Sequence, residues 1–243
     1  MLYYTPFKEY PKMPVPLHLY PLSEKALVVA WEQLIDPAIA AQARRLQQQL
    51  AAHPFAGMEE LVPAYATLTI FFDPLIVKAG SHEQTAFDWV AQYVTSQWQR
   101  AQQSTESQPP RRMTIPVIYG GAAGPDLPIV AQHCGLPEAE VIRLHSEALY
   151  EVYLLGFVPG FAYLGGLPAQ LATPRRQTPR PAVPAGSVGI AGQQTGIYPM
   201  EIPGGWQLIG RTSVRLFNPE QDPPALLQPG DLISFTSITH LPD

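Results

Sequence analysis

Between Gly156 and Thr212 the chain carries four arginines, Arg175, Arg176, Arg180 and Arg211, in a run that contains neither lysine nor cysteine. After Arg112 there is no lysine at all, and the only basic residues besides histidine are Arg143, Arg215 and those four. Solubility is served by either cation, whereas planar, two-pronged recognition of a carboxylate or phosphate favours arginine. The run is also dense in Gly, Pro and aromatic residues. Glycine allows positive φ and close backbone approach, proline fixes φ, and a flexible linker would be poor in Phe, Tyr and Trp. These features predict ordered loops and short strands around a small-anion site. The alternative is a set of ordinary surface arginines paired with Glu147, Glu151 or Glu201.

Around the arginines stand groups able to hold a small polar ligand. Ser187, Gln193, Gln194 and Thr195 offer hydroxyl and amide groups beside Gly186, Gly189 and Gly196, and Tyr163, Tyr198 and Trp206 are expected to wall the site. Arg180 and Arg211 are expected to bind anions, Arg211 by closing the ring of positive charge. His145 precedes the strand that feeds this stretch and is the best-placed histidine for acid–base work, with Glu147 able to orient it; a satisfied structural histidine is the competing reading. Cys134 is the only cysteine, which excludes an internal disulfide and multi-cysteine metal sites. Its neighbour His133 points about 100° away on a helix, so a buried thiol is expected rather than a nucleophile. No spacing fits a mononuclear metal.

Those residues must be held by a framework, and the framework is legible upstream. Leu17–Tyr20 and Ala26–Trp31 read as short strands around a turn at Leu22–Lys25, after an opening rich in Pro and Tyr that suggests an extended arm. Asp36-Pro37 starts a helix, with Asp as N-cap and Pro at the first helical position, and Ile39, Ala43, Leu46 and Leu50 share one face. Met58–Pro63 and Thr67–Phe72 form a strand pair. Ser81-His82-Glu83-Gln84 fits a capping box before a helix with Phe87, Val90, Val94 and Trp98 on one face. Residues 1–103 are thus expected to be a small α+β unit with helices over one sheet face. The polar, proline-bearing segment 104–112 is the expected linker.

Residues 113–243 read as mainly β. Met113–Tyr119 is a strand, YGGAAGPD a glycine-rich turn that is either a backbone nest for an anion or purely structural, and Asp126–Gly135 and Pro137–Ser146 are short helices. Ala148–Leu155 is a strand, and VPAGSVGIAG, WQLIG, SVRLF and DLISF supply others, with turn signals every eight to twelve residues as in a barrel or sandwich.

The blocks GFVPGFAYLGGLP, TPRRQTPRPAVPAGSVGIAGQQTGIYP and PGGWQLIGRT, with IPVIYGGAAGPDLPIVAQHCGL before them and LQPGDLISF after, resemble the 5-oxoprolinase B-subunit family, also named KipI and allophanate hydrolase subunit 1. The resemblance is dense from Ile115 to Phe235 and looser upstream, where it rests on ALVVAWEQLIDPAIAAQARRL and ELVPAYATLTIFFDP; Ser23-Glu24-Lys25 replaces an expected Gly-Asp turn. It implies a cyclophilin-like β-barrel for the second half. It further implies a bacterial enzyme that opens 5-oxoproline to glutamate with ATP hydrolysis, built with partner C and A subunits and inactive alone. Arg175 and Arg176 would serve the chemistry, and ATP with Mg²⁺ would be shared with the C subunit, with no tightly bound metal or organic cofactor. A regulator that inhibits a sensor histidine kinase is the alternative, with Phe157, Phe161 and Tyr163 as an exposed aromatic surface. Prolyl isomerisation rests on barrel analogy alone.

Composition sets outer bounds. Charged residues are only 14% of 243 and the formal net charge is -5, a surface weakly protected against association that suits a standing protein partner. No basic stripe invites a nucleic acid backbone, and no apolar run approaches the ~20 residues of a membrane span. A cytoplasmic protein is the expectation.

Overall fold

The computed structural model describes residues 18–32, 36–80, 85–103 and 110–240. Most of the expected arm, the capping box at Ser81–Gln84 and residues 104–109 of the expected linker lie outside them. The first strands, β1 (His18–Ser23) and β2 (Ala26–Ala30), turn at Glu24-Lys25. All five residues of β2 are buried, as its unbroken apolar run requires. In α1 (Pro37–Ala52) the Asp36 carboxylate accepts the Ala38 N–H at 2.7 Å, and Ile39, Ala43, Leu46 and Leu50 are all buried.

A hairpin of β3 (Met58–Pro63) and β4 (Thr67–Phe72) completes an antiparallel sheet in the order β1-β2-β4-β3. A short helix not expected from the sequence follows, α2 (Pro74–Ala79), capped by Asp73, whose side chain accepts the N–H groups of Leu75 and Ile76. Then α3 (Ala86–Gln103) lays Val90, Val94 and Trp98 on the sheet, where Trp98 meets Trp31 edge-on at 5.8 Å. These elements share one apolar core whose buried residues run from Leu27 to Trp98, with Leu19 of β1 packed against it.

The second core is a barrel. Its elements are β5 (Arg112–Tyr119), α4 (Leu127–Cys134), α5 (Glu138–Glu147), β6 (Leu149–Leu155), β7 (Ala162–Gly165), β8 (Arg180–Val183), β9 (Ser187–Ala191), β10 (Gln194–Ile197), β11 (Ile202–Gly204), β12 (Gln207–Arg211) and β13 (Leu232–Ser237). Seven strands close in the order β10-β7-β6-β13-β5-β12-β9, while β8 and β11 pair as a separate ribbon. Only β5 and β13 run parallel, with Ile115 opposite Phe235. Closure removes the unpaired edges an open sheet of this size would expose.

Strand alternation sends Val188, Ile190, Ile197, Ala162 and Leu164 inward, where Val130 and Val141 of the two helices join them. Ser213–Phe217, expected as a strand, is not one: it makes only an isolated bridge from Phe217 to Ala225. Leu216 is buried and Val214 packs on the core, so the apolar alternation was real, but the Val214 N–H bonds to the Thr212 hydroxyl instead of a neighbouring strand.

The two cores share no residue, yet they touch. Arg44 of α1 pairs with Glu151 of β6, and Tyr65, in the β3–β4 turn, meets Tyr153 and Tyr163 edge-on, each at 6.1 Å.

Candidate functional site

The motif residues gather on the outer face of the barrel, over β7, β10, β9 and β12. Residues on these strands that do not point inward meet a third apolar cluster: Phe161, Tyr198, Trp206, Leu208, Val183 and Ala191. Two glycines make that layer possible. A Cβ on Gly196 would lie 3.0 Å from Trp206 Cζ3 and 3.3 Å from Phe161 Cζ, and one on Gly189 would lie 3.0 Å from Trp206 Cβ. The rings therefore lie directly on the strands. Gly196→Ala is expected to cost about 1–3 kcal/mol through overpacking, read by denaturant unfolding; a change below about 0.5 kcal/mol would show that the rings have room to move.

Of the rings expected to wall the site, two are packed away from solvent. Tyr198 is 1% exposed and Trp206 6%, so both belong to a packed layer, and only Tyr163 keeps a half-exposed ring. Phe161 is likewise buried, so of the expected aromatic surface Phe157 is outward, at 64% exposure, and Tyr163 half-exposed. Phe157 is also the one non-glycine residue with positive φ among the described residues.

The arginines divide into two groups. Arg176 and Arg180 both reach Asp126, at 3.2 and 2.7 Å, and Asp126 is 2% exposed. Its other oxygen accepts the Leu208 N–H at 2.7 Å. Asp126 stands at the N-cap position of α4 but makes no side-chain cap bond there; the carboxylate is turned to the arginines instead. Neither Glu147, Glu151 nor Glu201 is the partner, and the sequence reading missed Asp126 because an acidic residue before a helix is explained by capping. One carboxylate against two guanidinium groups leaves a net positive charge on that side.

Arg175 is exposed, with no carboxylate partner among the described residues. Its charge bears on both Tyr65 and Tyr198, opposing the burial that raises the pKa of each phenol. Gln194 stands beside Tyr65, its amide donating to the phenol hydroxyl at 2.8 Å. Gln193 is exposed in the neighbouring hairpin turn. The accessible polar patch is thus Arg175, Tyr65, Tyr163 and Gln194, floored by the packed rings.

Arg211 is not part of it. Trp206 and Gln207 mark the patch end of β12, where Gln207 donates to the Pro174 carbonyl; Arg211 lies four residues on, roughly 13 Å along an extended strand. There its Nε donates to the Ala185 carbonyl at 3.0 Å, bracing a loop. Ser187 is 2% exposed, opposite Arg211 in the sheet, and Thr195 is wholly buried inside the barrel. Thr195 points away from the patch, and Ser187, though on the outer face with Gly189 and Ala191, is buried at the Arg211 end of it.

His145 is also inside. It is fully buried, Nε2 lies 2.9 Å from Thr195 Oγ1, and Nδ1 lies 2.7 Å from the Tyr119 hydroxyl. Thr195 gives its proton to the Gly189 carbonyl, so it accepts from Nε2–H, and Nδ1 accepts from Tyr119. Burial pushes the imidazole pKa down to about 3. The expectation of acid–base work at the arginines is corrected: both ring nitrogens are committed to the barrel interior. Glu147, expected to orient the ring, is paired with Arg143 instead.

The Gly120–Gly124 turn is tied to the barrel at both of its ends. Gly120 N–H donates to the Ile209 carbonyl, Gly124 N–H donates to Gly120, and a Cβ on Gly124 would lie 2.0 Å from the Ile209 oxygen, so the turn packs on β12. Among the described residues no three His, Cys, Asp or Glu side chains converge as a metal site. No described helix is long and apolar enough to cross a membrane.

Comparison with known proteins accounts for this arrangement of blocks. Residues 17–227 match the family model described as "Carboxyltransferase domain, subdomain C and D". Among curated proteins, the 5-oxoprolinase B subunit of Escherichia coli O157:H7 is 45% identical over 89% of this chain and 94% of its own length. The protein of the same name from Bacillus subtilis (strain 168) is 39% identical over 93% and 95%. The crystal structure of TTHA0988 superposes with a TM-score of 0.74 at 34% identity, over 89% of this chain but only 40% of that longer one. With a family model spanning most of the sequence and relatives matched nearly end to end, this chain belongs to the 5-oxoprolinase B-subunit family.

Proposed function

We propose that this chain is the B component of an ATP-dependent 5-oxoprolinase, which opens 5-oxo-L-proline to L-glutamate together with the A and C subunits and is inactive alone. The names of its relatives support the reaction class. The observation that carries the reading is Arg175, an exposed guanidinium without a carboxylate partner among the described residues, whose charge bears on Tyr65, itself joined to Gln194 and Tyr163. A free guanidinium at such a patch is suited to a small carboxylate, while Arg176 and Arg180 are positioned by Asp126 and lend the region its positive field.

Because the Gly120 and Gly124 amides are committed to the protein, the nucleotide and its Mg²⁺ are assigned to the surface shared with the C subunit. No step on this chain is routed through them. The two cores correspond in this reading to domains 1–103 and 113–243, the second a cyclophilin-like barrel, and the use of ATP assigns the reaction to the cytoplasm. The kinase-inhibitor alternative has less behind it, since Phe161 is buried and Tyr163 half-buried.

The test is 5-oxoproline-dependent ADP release by the chain alone, with the C subunit, and with the C and A subunits together. Turnover is expected only with partners, and Arg175→Ala is expected to lower kcat/KM about 10- to 100-fold, the worth of a charge-assisted hydrogen bond. Full activity of that variant would remove Arg175 from the site. No turnover in any folded, assembled mixture would overturn the enzyme reading in favour of the regulator.

A further inference from the structure

Tyr65 lies in a hairpin of the first sheet but reaches the patch on the barrel. It sits in the tight β3–β4 turn closed by the Ala64 N–H on the Thr67 carbonyl, and reaches Gln194, the first residue of β10. Its ring is held edge-on between Tyr153 and Tyr163.

The bond between Tyr65 and Gln194 leaves a defined pair of groups unused. A phenol has one donor and an acceptor oxygen; a primary amide has two donors and an acceptor. With the amide N–H given to the phenol oxygen, the phenol O–H remains a free donor and the Gln194 carbonyl a free acceptor beside it. Turning the amide over exchanges the roles, and the edge still shows one donor and one acceptor. Tyr65 stays protonated, since burial raises its pKa.

A donor next to an acceptor is the complement of one chemical group above others. In a trans amide the N–H and C=O point to opposite sides. In a small lactam, ring closure forces the cis form, so both lie on one edge. We propose that Tyr65 and Gln194 read the cis-amide edge of a small cyclic amide acid, with Arg175 taking its carboxylate and Tyr163 lying against its ring. This rests on the 5-oxoprolinase reading and deepens it to substrate recognition. It explains why a site at the junction of two cores would reject proline, which lacks the carbonyl, and glutamate, which lacks the cis edge.

The experiment uses the assembled complex with Tyr65→Phe, which keeps the ring contacts, and Gln194→Met, which keeps the length. Two measurements are made: KM and kcat for 5-oxoproline, and equilibrium dialysis of labelled 5-oxoproline and its N-methyl derivative without nucleotide. Each variant is expected to raise KM and the dissociation constant about tenfold, the loss falling on KM more than on kcat. The wild type is expected to prefer 5-oxoproline over the N-methyl compound, and Gln194→Met to lose most of that preference. Turnover by the wild type with unchanged KM and unchanged preference in both variants overturns this inference and leaves the 5-oxoprolinase reading standing. Absence of 5-oxoproline turnover and binding in the wild-type complex overturns both.

Discussion

Replacing Asp126 by alanine is expected to destabilise the protein by about 3 kcal/mol, measured as a fall in denaturant midpoint at unchanged slope. Removing one member of a buried ion pair costs about 3–5 kcal/mol because the remaining charge is left without compensation. Here the remaining charges are two, Arg176 and Arg180, with side chains 31% and 22% exposed. Their partial access to water lets them turn outward, which argues for the lower end of that range. The Leu208 N–H, buried in β12, loses its acceptor as well and has no such escape. Asp126→Asn keeps an oxygen for that N–H but turns its NH2 to the arginines, so it gives up the charge and their acceptor and should cost less than alanine only by the retained Leu208 bond. A loss below about 1 kcal/mol for Asp126→Ala would mean that the arginines need no anchor. The activity consequence is separate: without Asp126 the positive charge beside Arg175 is no longer fixed in place, and kcat/KM of the assembled enzyme should fall more than stability at the assay temperature explains.

The framework was legible where local chemistry and burial agree. Asp36-Pro37 and the spacing of Ile39, Ala43, Leu46 and Leu50 gave α1 with its buried face. The same Asp-Pro signal at Asp73-Pro74 passed unread, because α2 spans only six residues and shows no period of its own. In the second half, β7 and β10 were hidden by glycine. Gly165 and Gly196 weaken any strand pattern, yet they are there because Tyr153, Phe161 and Trp206 occupy the space a side chain would fill.

Site residues were harder to read than strands, for a physical reason. The arginines could be recognised as cations of one kind, but their division depends on Asp126, fifty positions upstream, whose role shows only when the barrel closes. Aromatic residues beside glycines suggested a ligand wall, and a packed layer satisfies the same pattern. Tyr65 carried no signal at all: it lies in an ordinary hairpin turn, and its position at the patch is set by how the two cores meet.

His145 makes the barrel sensitive to acid. Its pKa is about 3 in the folded state against an ordinary 6.5, so between those values the unfolded chain binds a proton that the native protein does not. Stability is therefore full above about pH 6.5, falls as pH drops through the window, and levels off near pH 3. At about 1.4 kcal/mol per pH unit, the histidine alone should remove about 2 kcal/mol on going from pH 7 to pH 5. Carboxylates add their own dependence, so the measurement is a difference: denaturant unfolding at both pH values for the wild type and for His145→Gln. Glutamine can still accept from Tyr119 and donate to Thr195, but it does not titrate. The variant starts less stable and should lose about 2 kcal/mol less than the wild type over the same interval. Equal losses would mean that His145 titrates alike in both states, through local opening of the barrel end where Tyr119, Thr195 and Phe235 enclose it. The same opening would make the imidazole available to solvent at neutral pH, and with it the acid–base role that the closed barrel denies.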